Sequence, residues 1–372
     1  MSRISRILLV ASAIFVIAAS FLFVRRFFSN QLEKRILDRD VVPIRVIVRD
    51  QDRIETLAQM ILFPEQKWVL FYFVNTDARQ PEGSKSIADQ TAMFADSFDK
   101  YSGLKSIYSV ELSRDSFARL IDLGEGLPMY LETAQIFPNS NFQYPAGRMR
   151  FSGQQAAEYA LSRRMQQGQE QLSGLERMRR METILLNVAW NSVQFADKIH
   201  SKDLRQFALG LIESDLTKPE LASLFNFLSD ANISILEVPL EQGADRALYV
   251  KDKRARSVYS EFFDNLRSGR MKKDVFSLEV LNGTEVGGLA RRVKQFLQDR
   301  GILVLNADNY PIKPIPKSVI LVRAGKTALG KHVMEMTSLP REGVFFDRST
   351  QDVDCTILLG TDFEIKKLQV FE

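Results

Sequence analysis

Apolar and polar residues are distributed along the chain in patterns that predict strands and helices in mixed order. Strands are expected at Ile44 to Val48 and at Trp68 to Val74, where β-branched and aromatic residues are concentrated. A helix with a rough apolar stripe is expected from Ser86 to Tyr101, a strand from Ser106 to Glu111, and a helix from Asp115 to Asp122. This alternation predicts an α/β fold whose mixed sheet is covered by helices on both faces.

The middle of the chain is predicted to be mostly helical. Ser152 is a favourable N-cap residue and is followed by good helix formers, so a long helical stretch is expected to begin there. Further helices are expected over the ranges 176–198, 202–214, 217–230 and 257–266. With the strands before them, they predict one domain with α-β-α layers over residues 43–273.

The pattern starts again after a basic turn at residues 268–273. Strands are expected at 276–281, 302–306, 318–322 and 356–359, and helices at 286–300 and 327–336. A second, small α/β domain is therefore predicted over residues 274–372. A chain of 372 residues is long enough for two domains.

An uncharged apolar run from Ile7 to Val24 predicts a membrane anchor. Its 18 residues just span the hydrocarbon core of a bilayer. A cleaved signal peptide is the alternative, because Ala18 and Ala19 are small, but the apolar run continues past them to Val24. We expect an uncleaved anchor within residues 1–29 and a stalk at 30–42. The arginines that flank the run are nearly balanced, so charge alone leaves the orientation open.

The composition is that of a folded protein with a small net charge. Hydrophobic residues make up 45% and charged residues 26%, as in ordinary globular proteins. The net charge is +4 and the basic residues are spread along the chain, so nucleic acid is not an expected partner. Anionic lipid headgroups or phosphorylated ligands are compatible with this charge.

Few residues are suited to metal or nucleophilic chemistry. Cys355 is the single cysteine, which excludes an intramolecular disulfide, and its apolar surroundings predict a buried strand residue. His200 and His332 are far apart and lack ligand spacing, so neither a zinc site nor a catalytic triad is predicted.

Two glycine-containing loops resemble phosphate-binding loops only in part. The loop from Asn282 to Gly288 lies between a predicted strand and helix and could hold an anion, but a tight turn explains its glycines equally well. Gly325, Lys326 and Thr327 match the end of a P-loop, whereas Ile320 stands where its first glycine should be, which excludes an ATPase of that type.

Arginines gather around the start of a predicted helix. Arg163 and Arg164 precede it, and Arg177 and Arg180 share a helix face by their i, i+3 spacing. Two guanidinium groups there could converge on one phosphate. Arginine runs are more often solvated helix surface, and the sequence alone leaves both interpretations open.

Three segments resemble the LytR-CpsA-Psr (LCP) family. Residues 117–126 resemble its "F..lvd.lGGv" turn, residues 147–159 its "G...L.G..AL.Y" segment, and residues 177–180 the arginines of its "D..R..RQ" helix. Fainter similarities lie at residues 53–56, 75–77 and 213–216, and the C-terminal unit resembles the LytR C-terminal domain from Leu278 to Asp362. Members of the family are membrane-anchored enzymes outside the cell that attach glycopolymers to peptidoglycan.

In the family, arginines hold the pyrophosphate of a polyprenyl-linked sugar donor and acidic residues hold a magnesium ion, a division that suits phosphate transfer. The resemblance implies catalytic roles for Arg53, Asp77 and Arg177. It implies ligand-binding roles for Arg163, Arg164, Arg180 and Glu55. Asp77 and Glu55 are the implied ligands of Mg²⁺ if the protein is active.

The chain departs from the family pattern at four positions that bear on catalysis. Relative to the family, Thr76 and Leu161 replace arginines, Met181 replaces a glutamine and Gly174 replaces an acidic residue. Each charge-assisted contact to a phosphoryl group in a dry site contributes roughly 2–4 kcal/mol to the transition state, so impaired catalysis is expected.

Three hypotheses follow for a single-pass protein of the cytoplasmic membrane whose bulk lies outside the cytoplasm. The first is a catalytically impaired binder or scaffold for polyprenyl-phosphate glycans or peptidoglycan. The second is an active, Mg²⁺-dependent phosphotransferase that attaches glycopolymers to peptidoglycan. The third is an interaction module whose C-terminal domain recruits an envelope protein while the first domain acts as a spacer.

Overall fold

The structure is a computed structural model that describes residues 30–79, 86–87, 99, 101–137, 140–162, 170–193, 195, 201–245, 247–272, 275–348 and 353–368. The predicted anchor within residues 1–29 lies outside these residues, as does most of the helix expected over 86–101. Among the helices of the described ranges, none is both long and apolar enough to cross a bilayer.

The first domain mixes strands and helices as predicted, but it contains more strands than the sequence indicated, and the helix expected over 202–214 ends at Gly210. It opens with helix α1 (Gln31–Leu37) and strands β1 (Val42–Asp50), β2 (Arg53–Phe63), β3 (Trp68–Val74) and β4 (Tyr108–Ser113). Helix α2 (Arg114–Leu123) leads into hairpin strands β5 (Leu127–Leu131) and β6 (Gly147–Phe151). Then come α3 (Gly153–Leu161), α4 (Glu170–Trp190), α5 (Lys202–Gly210), β7 (Glu213–Ser214), α6 (Lys218–Asp230), β8 (Asn232–Glu237), β9 (Leu240–Gln242), β10 (Leu248–Val250) and α7 (Asp252–Arg267).

The central sheet has six strands in the order β7-β4-β1-β2-β3-β8 and is mixed. Neighbours β1, β2 and β3 are antiparallel, whereas β4 runs parallel to β1 and β8 parallel to β3. Alternate residues of β3 pack on opposite faces: Phe71 and Phe73 face the core that contains α2, α3, α4 and α6, and Tyr72 faces α7. Helices on both faces confirm the predicted layering.

Strand β2 was not among the predicted strands, although it is fully paired between β1 and β3. The polar residues Glu55, Thr56 and Gln59 interrupt its apolar pattern, yet all three are buried. Gln59 is stabilised there because its Nε2 donates to Asp99 Oδ1 at 3.1 Å and to the carbonyl of Leu104 at 2.9 Å.

Helix ends agree with the capping residues of the sequence. Ser113 caps α2, and Ser152 and Gln155 form a capping box at the start of α3, as expected for a helix that begins after Ser152. The long helical stretch expected there is shorter, because α3 ends at Leu161. The hairpin of β5 and β6 was not predicted.

The second domain is a small α/β unit, as predicted. Its elements are β11 (Ser277–Asn282), α8 (Leu289–Gln298), β12 (Leu303–Asn309), β13 (Val319–Val322), α9 (Thr327–Thr337), β14 (Val344–Phe346) and β15 (Cys355–Leu359). Its sheet has the order β12-β11-β15-β13-β14. Cys355 is buried in β15, which confirms the sequence prediction. Strand β14 was missed because it has only three residues.

The two domains pack tightly against each other. The backbone of β8 meets the loop before α9, since Ile235 N donates to Gly325 O at 2.9 Å. On α4, the Asn187 side-chain amide exchanges two hydrogen bonds with the backbone of Phe346, at 2.9 and 3.2 Å. The Trp190 ring packs on Phe346 with centroids 5.5 Å apart. Helix α4 is therefore held by both domains.

Candidate functional site

Four of the predicted site residues lie at one end of the central sheet: Arg53, Glu55, Asp77 and Arg177. Glu55 is near the start of β2 and Asp77 follows the end of β3, and these ends are adjacent because the two strands pair antiparallel. The first turns of α4 cross the same end and contribute Arg177. Residues that are about 100 positions apart in sequence are thereby brought together.

Arg177 bridges two carboxylates. Its side chain is only 2% exposed; Nη1 lies 2.5 Å from Glu55 Oε2 and Nη2 lies 3.2 Å from Asp77 Oδ2. Nη2 also donates to Thr76 Oγ1 at 2.8 Å. A buried guanidinium is stable only when it is paired in this way, so the three elements are tied together at this point.

Arg53 contacts the same carboxylates from the solvent side. Its Nη2 donates to Asp77 Oδ1 at 3.1 Å, and its Nε lies 3.5 Å from Glu55 Oε1. The Arg53 side chain is 42% exposed. Arg53, Glu55, Asp77 and Arg177, here called the Asp77 cluster, thus contain two cations and two carboxylates, and Arg53 forms its exposed edge.

The loop after β3 fixes the position of the Asp77 carboxylate. The side-chain oxygen of Asn75 accepts a hydrogen bond from Asp77 N at 2.9 Å, an Asx turn. Thr76 Oγ1 lies 3.3 Å from the Glu55 carbonyl as well as bonding Arg177. The family resemblance identified Thr76 only as a position where an arginine is lost. The structure shows in addition that the Thr76 hydroxyl accepts a hydrogen bond from Arg177.

Gly174 lies where α4 approaches this loop most closely. A Cβ atom at this position would be 2.3 Å from Asp77 Oδ2 and 3.0 Å from Asn75 Oδ1. Side chains therefore have no room at position 174 in this arrangement of the helix and the loop. At this position, where the resemblance leads one to expect an acidic residue, the local packing requires a small one.

The Asp77 cluster does not fit a resident magnesium ion well. Mg²⁺ needs oxygen ligands in near-octahedral geometry, and the two carboxylates of the cluster both face guanidinium groups. Within the described ranges, no group of three or more acidic, histidine or cysteine side chains is placed to hold a metal ion. Mg²⁺ binding by Asp77 and Glu55 stays a prediction of the resemblance.

Arg180 does not join Arg177 in this cluster. Its Nε donates to the Tyr159 carbonyl at 2.6 Å and its Nη2 donates to the Ser162 carbonyl. The guanidinium also lies over the ring of Phe137, 5.2 Å from its centroid. Arg180 thus neutralises the carbonyl end of α3, a favourable place for a cation. The i, i+3 spacing does not bring the two guanidinium groups to one point. Arg163 and Arg164 lie outside the described residues.

A second ion cluster lies farther along α4, at the boundary between the domains. Arg348, which follows β14, donates from Nε to Glu182 Oε2 at 2.9 Å and from Nη2 to Glu237 Oε1 at 3.1 Å. Arg179 Nε also contacts Glu237 Oε1, at 3.4 Å. We call Arg179, Glu182, Glu237 and Arg348 the interdomain cluster. No sequence pattern indicated it.

Glu182 is the most strongly perturbed member of the interdomain cluster. It is fully buried, and this burial, with the neighbouring Glu237, raises the pKa of its carboxyl group to about 8 although Arg348 acts in the opposite direction. Glu182 is therefore mostly protonated at neutral pH. The cluster carries one proton that the free side chains would release.

A cavity of about 310 Å³ lies at the other end of the central sheet. Residues of α1, of α6 and of the turn between β2 and β3 line it, among them Ile36, Pro64 and Phe227. None of its lining residues belongs to the Asp77 cluster. This cavity is therefore separate from the candidate site.

Comparisons with known proteins give a family match for the end of the chain. Residues 276–363 match the family model described as "LytR cell envelope-related transcriptional attenuator". Among curated proteins, no sequence matches the chain.

Solved structures similar to this chain have low sequence identity. A LytR-Csp2A-Psr enzyme from Actinomyces oris is 16% identical, with a TM-score of 0.49 over 59% of this chain and 89% of that one. TagV from B. subtilis is 16% identical, with a TM-score of 0.46 over 61% and 98%. TagT bound to LIIa-WTA is 13% identical, with a TM-score of 0.47 over 66% and 96%. The family match confirms the LytR C-terminal domain expected from the sequence.

Proposed function

We propose that this protein is a cell-envelope protein of the LCP type whose catalytic function is impaired and which binds polyprenyl-phosphate glycans or peptidoglycan as a binder or scaffold. The predicted anchor would hold it in the cytoplasmic membrane with both domains outside the cytoplasm. The observation that carries the proposal is the Asp77 cluster, in which Arg177 forms ion pairs with Glu55 and Asp77 at 2.5 and 3.2 Å.

Impaired transfer follows from the direction of the guanidinium groups. Phosphoryl transfer needs cations aimed at the oxygens on which negative charge develops. Both terminal nitrogens of Arg177 are instead directed at carboxylates within the protein. Turning them to a pyrophosphate would leave Glu55 and Asp77 buried next to an anion, which is strongly unfavourable.

Binding can persist without transfer. The Arg53 side chain is 42% exposed and marks the side from which a ligand can approach the cluster. A guanidinium fork matches the geometry of a phosphate group. The LytR C-terminal domain at the end of the chain supports placement of this function in the cell envelope.

An active phosphotransferase is the second candidate, because Arg53, Glu55, Asp77 and Arg177 do gather in one place. In that case a magnesium ion would have to take the place of Arg177 next to the carboxylates, and Arg177 would have to move to the phosphate.

Lipid analysis of the purified full-length protein tests the binding proposal. Polyprenyl phosphate extracted with the protein is measured by mass spectrometry for the wild type, for Arg53→Ala and for the control Arg291→Ala, whose side chain is exposed on α8. We expect lipid with the wild type and the control, and at least about tenfold less with Arg53→Ala.

Two results would contradict the proposal. Turnover that requires Mg²⁺ and disappears in Arg177→Ala would establish the active enzyme instead. Absence of lipid, together with an unchanged cell phenotype after replacement of Arg163, Arg177 and Arg180, would favour the interaction module recruited through the C-terminal domain.

A further inference from the structure

We propose that Arg177 is the permanent counter-ion of Glu55 and Asp77, so that this site works without a divalent metal ion. The inference deepens the proposed function and rests on it only for the kind of ligand. Cation binding can be measured without any glycan or lipid, so the two proposals can fail separately.

The carboxylate oxygens of Glu55 and Asp77 are surrounded by guanidinium nitrogens. Arg177 lies 2.5 Å from Glu55 Oε2 and 3.2 Å from Asp77 Oδ2. Arg53 lies 3.5 Å from Glu55 Oε1 and 3.1 Å from Asp77 Oδ1. Each of the four carboxylate oxygens therefore has a guanidinium nitrogen beside it. A divalent cation bound to these oxygens would lie close to a guanidinium group, which opposes its binding by charge repulsion.

Helix α4 leaves no space for a further metal ligand next to Asp77. A further carboxylate from α4 would have to arise near Gly174, where even a Cβ atom would lie 2.3 Å from Asp77 Oδ2. The helix backbone occupies the space that such a ligand needs. Gly174 allows α4 to approach the loop after β3 closely. This close approach brings Arg177 between the two carboxylates.

Burial and the contacts of α4 hold Arg177 in place. The Arg177 side chain is 2% exposed, and its helix is fixed farther along by Arg348, which bonds Thr183 and Glu182 at 3.0 and 2.9 Å. Like charges repel strongly at short range in a poorly solvated site, so a metal ion and Arg177 cannot share the cluster.

The test measures binding of Mn²⁺, which prefers the same oxygen ligands as Mg²⁺ and is detected by electron paramagnetic resonance. Full-length protein in detergent is titrated with Mn²⁺, and Mg²⁺ is added as competitor. We expect no site in the wild type that depends on Asp77, and the same binding curve for Asp77→Asn. In Arg177→Gln the carboxylates lose their counter-ion, and Mn²⁺ binding is expected to become at least about tenfold tighter.

Two results would overturn the inference. The first is a Mg²⁺-competed Mn²⁺ site in the wild type that weakens at least about tenfold in Asp77→Asn. The second is a folded Arg177→Gln variant, verified by circular dichroism, that binds Mn²⁺ no better than the wild type. If Arg177→Gln does not fold, the comparison of the wild type with Asp77→Asn alone decides between a resident arginine and a metal site.

Discussion

Helix α4 carries two ion clusters of the same composition, and they differ in their access to solvent. The Asp77 cluster near its start has an exposed edge, where the Arg53 side chain is 42% accessible. In the interdomain cluster the fully buried member is the carboxylate Glu182, while Arg179, Glu237 and Arg348 are 26%, 22% and 16% exposed. Two arginines and two carboxylates therefore form a candidate ligand site in one place and a domain joint in the other. The high exposure of one arginine and the contact with the second domain, rather than residue type, distinguish them.

The burial of Glu182 also affects the charge of the interdomain cluster. Complete burial raises the pKa of Glu182 to about 8, so the interdomain cluster holds a proton at neutral pH. Because α4 belongs to both clusters, the second domain helps to fix the helix from which Arg177 reaches Glu55 and Asp77. The LytR C-terminal domain is thus a structural support of the first domain.

The largest effect is expected for Arg348→Ala. Removal of this guanidinium leaves Glu182 and Glu237 without their shared partner and removes the 2.6 Å bond to the Arg323 carbonyl. A loss of about 2–4 kcal/mol in the free energy of unfolding is expected from the hydrogen bonds that disappear, measured by urea denaturation. The exposed Arg291→Ala is the control and should change it little. Equal stability of the two variants would show that the interdomain cluster does not hold the domains.

Gly174→Ala tests the close approach of α4 in the Asp77 cluster. Alanine normally stabilises a helix interior by about 1 kcal/mol over glycine. Here the added Cβ would meet Asp77 Oδ2 at 2.3 Å, so a net loss of about 1–3 kcal/mol is expected in the same denaturation experiment. Gly210→Ala in α5, where a Cβ would meet nothing within 4 Å, is the matched control. A stabilising effect at position 174 would mean that the helix lies farther from the loop.

Glu182 predicts a pH dependence that Glu182→Gln should remove. The pKa of this carboxyl group is about 8 in the folded protein, whereas it is 4.5 for an unperturbed glutamate. The folded protein therefore keeps a proton at pH values between 4.5 and 8 that the unfolded chain releases. Its contribution to stability is complete below about pH 4.5 and is lost as the pH rises through about 8. The slope should reach about 1 kcal/mol per pH unit.

The measurement is best made above the range of Asp347, whose pKa is raised by burial to about 6. Denaturation midpoints are compared for the wild type and Glu182→Gln between about pH 6.5 and 8. The wild type should lose more stability over this range than the variant. Parallel curves for the two proteins would contradict the protonated state of Glu182.

The smallest effect on stability is expected for Arg53→Ala. Its ion pairs with Asp77 and Glu55 are solvent-exposed on the arginine side, and such pairs contribute less than about 1 kcal/mol. Thermal unfolding should therefore shift little, while lipid retention falls. A large loss of stability would assign Arg53 a structural role like that of Arg348.

Much of the fold could be predicted because its strands are apolar runs. β3 and β13 are buried along their whole length, which makes them visible as continuous hydrophobic segments. β2 was missed because its buried Glu55 and Gln59 look like exposed positions. Their partners lie on other elements, and a sequence pattern contains no information about them.

The site could be predicted in part. Resemblance to the family placed Arg53, Asp77 and Arg177 together, and the structure shows these three in one cluster. It also suggested Arg180, whose long side chain extends to the end of α3 instead. Helical spacing fixes the directions of Cβ atoms but not the positions of guanidinium groups several bonds away. Arg348 bonds to residues more than 100 positions distant, beyond the reach of any local pattern.

The central claim is that the arginines of the Asp77 cluster are committed to Glu55 and Asp77 and not to catalysis. Its most direct test is a single-turnover assay in which a polyprenyl-pyrophosphate-linked glycan and peptidoglycan are incubated with excess full-length protein and Mg²⁺. We expect no transfer above the protein-free control. Mg²⁺-dependent transfer that is lost in Arg177→Ala, in a variant shown to be folded, would contradict it.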